Sequence, residues 1–445
     1  VSTDLLHIAS SGVRAARVAL DLTAQNIANA GTQGYIRRSL QLNEVASAGG
    51  YNRTGDLSFS GVRVDGIARN ADAFRQAEVR RTGSDAARGA TELSAYQNVE
   101  AALEHSGLYA AMAGFESALQ QMTTDPVDPS LRAAALESSE TLARTFNLAS
   151  DALDTVAQSL HFAATDGVTQ VNRLAGELGR VNLQLARSVP GTADHVSLLD
   201  QRDGLLGQIS GYVGITTSFS ANQTVEVRIG GSSGPHLVAG GAVSTLGTTA
   251  AADGTLSFTV GATAATLSAG SLAGQTQGLQ CVRDSRNTLN VVAQNLIATV
   301  NGAQTSGVAL DGSPGQPLLS GTGASDIAVV LASGSQLATA PAGAPAGSRD
   351  PANLAALRSA LVSSDISGQI DALLFQISSA TEGRRITSDA LTTIAGASKL
   401  ALDAQAGVNL DEEAVNLVRF QQAFQASSKA IQVASDLFDT LLAIR

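Results

Sequence analysis

"NLDEEAVNLVRFQQAFQASSKAIQVASDLFDTLLAIR" fills positions 409–445, and its periodicity decides the fold. Leu410, Leu417, Phe424, Ile431 and Phe438 stand seven apart without a break. Phe420, Ala434 and Leu441 each follow a member of that row by three residues. Apolar residues at the first and fourth places of a heptad lay one stripe along a helix, and such a stripe needs a partner helix. The start is marked too. Asn409 and Glu412 have the spacing of a capping box, and Asp411, Glu412 and Glu413 crowd the positive end of the helix dipole. That first-turn role is the reading preferred for the three acids over metal binding.

The other end of the chain offers the partner. Leu6, Val13, Leu20 and Ile27 are also seven apart, with Ala9, Ala16, Thr23 and Ala30 three residues later. A helix over 5–30 therefore has a bulky seam beside a small one. It runs into "NIANAGTQGYIRR" at 26–38. Asn26 and Asn29 are poor helix formers whose amides can reach carbonyls freed in the last turn. Gly31 is placed to be the left-handed residue that stops the helix. Gly34 lets the chain turn, and Tyr35 is an apolar anchor with a polar tip. Together 1–34 and 405–445 are expected to form a terminal coiled coil. Its Ala-rich side leaves room for a contact with another subunit.

Everything else is nested between. Positions 36–68 read as an extended hairpin about a Gly-rich turn, and helical character runs with breaks from about 72 to 187. Asp128 can cap a helix that has Pro129 at its first position. A further helix pair is split by Pro190-Gly191. From 215 to 268, short alternating runs rich in Thr, Gly, Ser and Val read as a small β-rich outer domain. Helix resumes at about 278–301, and again from 353 onward. "ATAPAGAPAGSRDPA" at 338–352 reads as a linker or surface loop. The chain is thus mainly α with a small β insertion. Its mainly helical middle domain comprises 35–214 and 269–404.

Composition removes several classes of function. A net charge of -11 argues against a nucleic-acid partner, because phosphate binding needs a clustered positive footprint. Cys281 is the only cysteine, so neither an intramolecular disulfide nor a thiolate cluster can form; it reads as a small core residue. No apolar run approaches the roughly 18 residues of a membrane span. The N-terminal stretch carries Asp4, His7, Arg14 and Arg17 and lacks an apolar signal core, so no cleaved signal peptide is expected. His7, His105, His161, His195 and His236 have no metal-ligand spacing and read as surface or satisfied core residues. "GTGASD" at 321–326 is a turn. No nucleophile elbow or phosphate loop occurs, and no carboxylate pair is expected to be brought together in an apolar pocket. No enzyme activity, cofactor or metal is expected.

At this point a resemblance is specific. "LTAQNIANAGTQGYIRRSL" at 22–40 is similar to the signature shared by bacterial flagellar rod, hook and hook-associated proteins. The C-terminal forty residues, with "TDPVDPSLRAAAL", "LLDQRDGLLGQISGYVGI" and "LDGSPGQPLLS" in that order, resemble the hook-associated protein 1 family. The resemblance implies a structural subunit of the flagellum that adapts hook to filament by polymerising through its terminal helices. It implies hook protein, a second hook-associated junction protein and further copies as partners. It also implies an extracellular location reached through the flagellar type III apparatus. An export chaperone on the C-terminal helix is implied as well, with Leu417, Phe424, Ile431 and Phe438 as the stripe it would cover. No long β-rich insertion follows Ser320, so an outer domain of longer members is expected to be missing. The alternative is a soluble helical scaffold that dimerises through terminal coiled coils. A heterologous interface builds an open array, whereas a self-complementary one closes.

Overall fold

A computed structural model describes residues 2–32, 34–48 and 57–443, with side chains over 5–32, 34–45 and 61–440. Its contacts fall into two units: Val1–Ser84 with Val171–Thr245 and Thr392–Arg445, and Asp85–Gln170 with Leu246–Leu391.

In the first unit, helix α1 (Ser2–Ala28) packs against the C-terminal helix, Leu410–Ala443. The two are antiparallel. A Cβ on Gly12 would stand 2.8 Å from Ser427 Oγ, while Arg37, just beyond α1, meets Glu413 in the first turn of the other helix. The side of α1 that is buried is the small one: Ala9, Ala16, Ala19 and Thr23, with Leu22 and Asn26. The bulky row departs from the expected seam. Leu6 and Ile27 are 41% and 36% exposed, and Val13 and Leu20 are only half-buried. Small side chains let two helix axes approach closely, and the bulky row is turned aside. On the C-terminal helix, Leu417, Phe420, Phe424 and Ile431 are half-buried and Ala434 is buried, whereas Leu410 and Phe438 are exposed. The side chain of Leu441 lies outside the described residues.

Strands β1 (Arg38–Ala48) and β2 (Leu57–Arg69) form the expected antiparallel hairpin, with Arg38 opposite Arg69. The hairpin rests on the 190–192 turn, where Gly66 and Gly191 meet backbone to backbone. A Cβ on Gly66 would lie 2.9 Å from Gly191 Cα, and Ile67 N donates to Gly191 O at 2.8 Å. The helices that follow are α2 (Ala73–Ser106), α3 (Leu108–Met122), α4 (Pro129–Leu185) and α5 (Ala193–Tyr212). Asp128 caps α4 as its sequence predicts, accepting from Ser130 N at 2.7 Å and Leu131 N at 3.1 Å.

The stretch 215–268 is not one outer domain. It holds a four-stranded sheet, β3 (Ile215–Phe219), β4 (Val225–Ile229), β5 (His236–Ala239) and β6 (Ala242–Val243), which belongs to the first unit. A separate three-stranded sheet, β7 (Leu246–Ala250), β8 (Leu256–Val260) and β9 (Thr263–Ala265), belongs to the second. The physical reason is polar stitching to helices. Asn182 on α4 donates to Val225 O and Gly240 O at 2.8 Å each and accepts from Val225 N. Arg202 on α5 donates to Gln223 O at 2.7 Å. The terminal domain is correspondingly larger than 1–34 and 405–445. It includes the hairpin, the end of α4, α5 and this sheet.

The second unit is built on α2, α3, α4, α6 (Ser271–Thr305), α7 (Ala352–Ser364) and α8 (Ile366–Ala406). Val99, Met112, Phe115, Phe146, Leu289 and Leu296 are buried at its centre. Cys281 lies among them, and burial pushes its thiol up to about 11, so it is an inert core residue. Stretch 338–352 is the expected surface loop: only Ala338, Thr339 and Ala340 are buried, and 341–352 are half-buried or exposed. Arg132 is fully buried with no carboxylate partner among the described residues, and its guanidinium donates to the carbonyls of Pro126, Gly334 and Leu337 and to Thr339 Oγ1. One side chain thus ties the start of α4 to the 334–340 loop. Replacing Arg132 with Met would leave those buried acceptors unsatisfied. Unfolding of the full chain should then lose on the order of 3 kcal/mol or more, read as a lowered denaturant midpoint. An unchanged midpoint would mean the loop is held some other way.

Candidate assembly site

The corner after α1 is built by relaxing the helix in steps. Ala30 N donates to Ile27 O at 3.3 Å and Thr32 N to Asn29 O at 2.9 Å, both three-residue spacings. A turn then closes from Tyr35 N to Thr32 O at 3.1 Å, with Gly34 at φ 79°. The left-handed residue is therefore Gly34 and not Gly31, which is exposed and has no positive φ. The end of the helix unwinds through right-handed turns, and only the third place of the last turn demands a change of sign.

The Asn29 amide donates to Gln25 O at 2.9 Å, a carbonyl that is not freed, since it also accepts the Asn29 backbone N–H at 3.0 Å. Asn26 does something else. It is buried; its Nδ2 donates to Arg38 O at 2.9 Å, and its Oδ1 accepts from Arg38 N at 3.1 Å and from Tyr35 OH at 2.9 Å. One amide thus replaces a neighbouring strand for the first residue of β1. The Arg38 guanidinium sits over the Tyr35 ring, 5.2 Å from its centre. Burial holds the Tyr35 phenol above its ordinary range, opposed by the Arg38 charge.

The corner is also fastened by charges from distant parts of the sequence. Arg37 Nε reaches Glu413 at 2.7 Å, and its Nη1 reaches Glu412 at 3.2 Å. Glu413 is 2% exposed, so its role goes beyond a favourable place in the helix dipole. The capping box is one-sided. Asn409 Oδ1 accepts from the amides of Asp411 and Glu412, but the Glu412 carboxylate is turned to Arg37. Arg37 N also donates to Ala406 O at 2.8 Å, which caps the end of α8.

Two carboxylates do lie side by side, though among guanidinium groups and not in an apolar pocket. Asp200 and Asp203 lie three apart on α5. Asp200 pairs with Arg38 at 2.7 Å and Arg69 at 2.9 Å; Asp203 pairs with Arg69 at 2.8 Å and Arg202 at 2.7 Å. Gln76 Nε2 adds a bond to Asp203 at 3.1 Å. Both acids are wrapped by guanidinium groups, an arrangement that positions chain segments. Among the described residues, no group of three or more His, Cys, Asp or Glu could hold a metal ion, and no helix is long and apolar enough to cross a membrane. The "GTGASD" stretch is a turn in which Asp326 accepts from the amides of Thr322 and Gly323. The sequence held a usable signal for the ion network in "IRR" at 36–38 and "DQRD" at 200–203, but nothing local linked the two.

Comparison with known proteins adds independent findings. A family model described as the flagellar hook-associated protein FlgK helical domain matches residues 93–319. One described as the flagellar basal body rod FlgEFG protein C-terminal matches 404–444. Flagellar hook-associated protein 1 of Bacillus subtilis is 29% identical over 240 residues, covering 50% of this chain and 47% of that protein. Its Salmonella typhimurium counterpart is 27% identical over 336 residues, covering 72% and 59%. The Escherichia coli counterpart is 27% identical over 234 residues, covering 51% and 42%. The chain spans about half the length of the curated relatives it matches. The flagellar hook junction protein FlgK from Burkholderia pseudomallei aligns with a TM-score of 0.49 at 23% identity, over 55% of this chain and 46% of that one.

His195, at the start of α5, reports on the charge of this corner. It is buried, its Nδ1 lies 2.8 Å from Ser188 Oγ, and Thr192 Oγ1 accepts from its backbone amide. Burial, with Arg202 and Arg69 nearby, lowers its pKa from the ordinary 6.5. The folded chain therefore resists its protonation while the unfolded chain does not. The contribution of His195 is full above pH 6.5 and declines as pH falls from there toward the lower folded value, at up to about 1.4 kcal/mol per unit. Melting of the wild type between pH 7.5 and 5.5 should show that decline, and His195→Gln should flatten it. Equal slopes in the two proteins would remove His195 from the account.

Proposed function

As a member of the flagellar hook-associated FlgK family, whose helical-domain model matches about half of it, this chain is, we propose, a structural subunit joining hook to filament. The observation that carries the reading is the two-sidedness of the terminal helices. One face of each is used inside the chain. On the other, α1 exposes Leu6 and Ile27, and the C-terminal helix, α9 (Leu410–Ala443), exposes Val415, Val418, Val433 and Leu437. Apolar rows left outside on an already paired set of helices suit contacts with neighbouring subunits.

In this reading Leu6, Val13, Leu20 and Ile27, with Leu410, Phe438 and Leu441, meet adjacent subunits. Leu417, Phe420, Phe424 and Ile431 hold α9 in place. Asn26, Asn29, Gly31, Gly34 and Tyr35 shape the corner between the helices and the hairpin. The partners are further copies, hook protein on one side and a second hook-associated junction protein on the other. The chain works outside the cell, in the flagellum, after passage through the type III apparatus. An export chaperone fits Leu417, Phe424, Ile431 and Phe438 in a helix-in-groove complex. Three of those four face inward here, so the chaperone competes with α1 for the same helix. The role is structural and not enzymatic. A scaffold that merely dimerises is less well supported, because the outer rows of α1 and α9 differ and favour heterologous contact.

Replacing both Phe424 and Ile431 with Ser removes two seam side chains, each worth ~1.5–3 kcal/mol when buried. The chain should retain most of its helical circular dichroism, since the core around Phe115 and Phe146 shares no residue with the seam. Cells carrying this variant as their only copy should lose motility and shed unattached filament protein into the medium. Normal swimming by such cells would refute the proposed use of α9.

A further inference from the structure

The α1–α9 rod has two unlike ends. At one end, the last turns of α1, the start of β1 and the first turns of α9 enclose a notch of about 300 Å³. Its apolar lining includes Leu22, Leu40, Leu42 and Phe420, and its charged lining carries three arginines, Arg37, Arg38 and Arg419, against one carboxylate, Glu413. Arg37 and Arg38 have carboxylate partners. Arg419 lies over the Phe420 ring, 4.8 Å from its centre, and has no carboxylate partner among the described residues. At the other end stands a tip formed by the last turns of α9 beside the start of α1. Leu437 and Phe438 are about half exposed there, and Asp436 and Asp439 are exposed. The last turn of α9 holds no basic residue, and a helix C-terminus is itself electronegative. Arg445 lies outside the described residues.

We propose that the notch receives the tip of the same rod from a second copy, with Phe438 entering among Leu22, Leu40 and Leu42 and Asp436 or Asp439 meeting Arg419. The inference rests on the assembly reading above and specifies its geometry. A chain cannot fill its own notch, because Glu413 and Phe438 are separated along α9 by roughly 38 Å at 1.5 Å per residue. Notch against notch would bring the uncompensated Arg419 of each copy together, and tip against tip would bring aspartates together. Both self-complementary pairings are disfavoured by like charge, whereas tip into notch matches opposite charge and apolar surface. Such a contact is heterologous and repeats without closing.

Cysteine pairing tests it in flagella isolated from cells whose only copy of the chain carries Leu42→Cys and Phe438→Cys. The native Cys281 is buried with its thiol held at about 11, so it does not compete. Mild oxidation should give a ladder of dimers, trimers and higher species on a non-reducing gel, and each single variant should remain monomeric. Adding Arg419→Glu should cut the ladder at least tenfold, and adding Asp436→Arg with Asp439→Arg to that background should restore it. A double-cysteine chain that is incorporated, supports motility and stays monomeric would overturn the tip-in-notch contact while leaving the assembly reading intact. Dimers from Phe438→Cys alone would overturn it in favour of a self-complementary contact. Absence of the wild-type chain from isolated flagella would overturn both.

Discussion

The close approach of two helix axes at Gly12 and Ser427 is the constraint from which the rest of the first unit follows. With Ala9, Ala16, Ala19 and Thr23 along the seam, nothing large separates α1 from α9. The larger side chains of α1 must then turn toward the hairpin or outward, and those of α9 fill the flanks. Had Leu6, Val13, Leu20 and Ile27 formed the seam, the axes would stand further apart, and Arg37 could not reach the buried Glu413 at 2.7 Å. The small row therefore sets both the intrachain packing and the apolar rows left on the outside.

Charges then fix the register of what hangs from that seam. Arg38 and Arg69 are directly opposite across the first rung of the hairpin, a like-charge pairing that destabilises a sheet by itself. Asp200 contacts both guanidinium groups, and Asp203 takes the second bond of Arg69. The repulsive rung becomes a clamp only when α5 presents two acids one turn apart. An apolar substitute of similar volume could be as stable, since buried ion pairs are often no better than well-packed side chains. It would not discriminate one hairpin register from the next. The Asn26 amide adds the same kind of selectivity, since it bonds both the N–H and the C=O of one particular residue, Arg38.

Much of this architecture was legible in the sequence, and the limits have physical causes. The heptads marked both terminal helices, and Asp128-Pro129 marked the start of α4, because these signals lie within a few residues of their effect. Periodicity could not tell which of two adjacent rows on α1 faces inward, because that choice depends on the size of the side chains across the seam. Gly31 and Gly34 are equally suited to a left-handed turn, and the difference lies in how far the helix relaxes before the chain reverses. The strands of 215–268 read as one domain because their composition is uniform. Their division follows from Asn182 and Arg202, which lie in helices well before them. The Arg37–Glu413 pair spans 376 residues, and no local pattern reveals a partner at that distance.

A helix that is apolar on two faces carries a solubility cost in any monomer, and the intrachain seam reduces it by covering one of them. Burying the Leu417–Ile431 row against α1 leaves α9 with Val415, Val418, Val433 and Leu437 outside, broken by Gln422 and Lys429. Polar residues spaced along an otherwise apolar row weaken non-specific association while still allowing a neighbour that matches them. The inner seam, by contrast, can be continuous, small on α1 and bulky on α9, because its partner is always present at the effective concentration of the same chain. The unequal composition of the two faces of α9 is what a subunit requires if it must hold its termini together first and meet its neighbours afterwards.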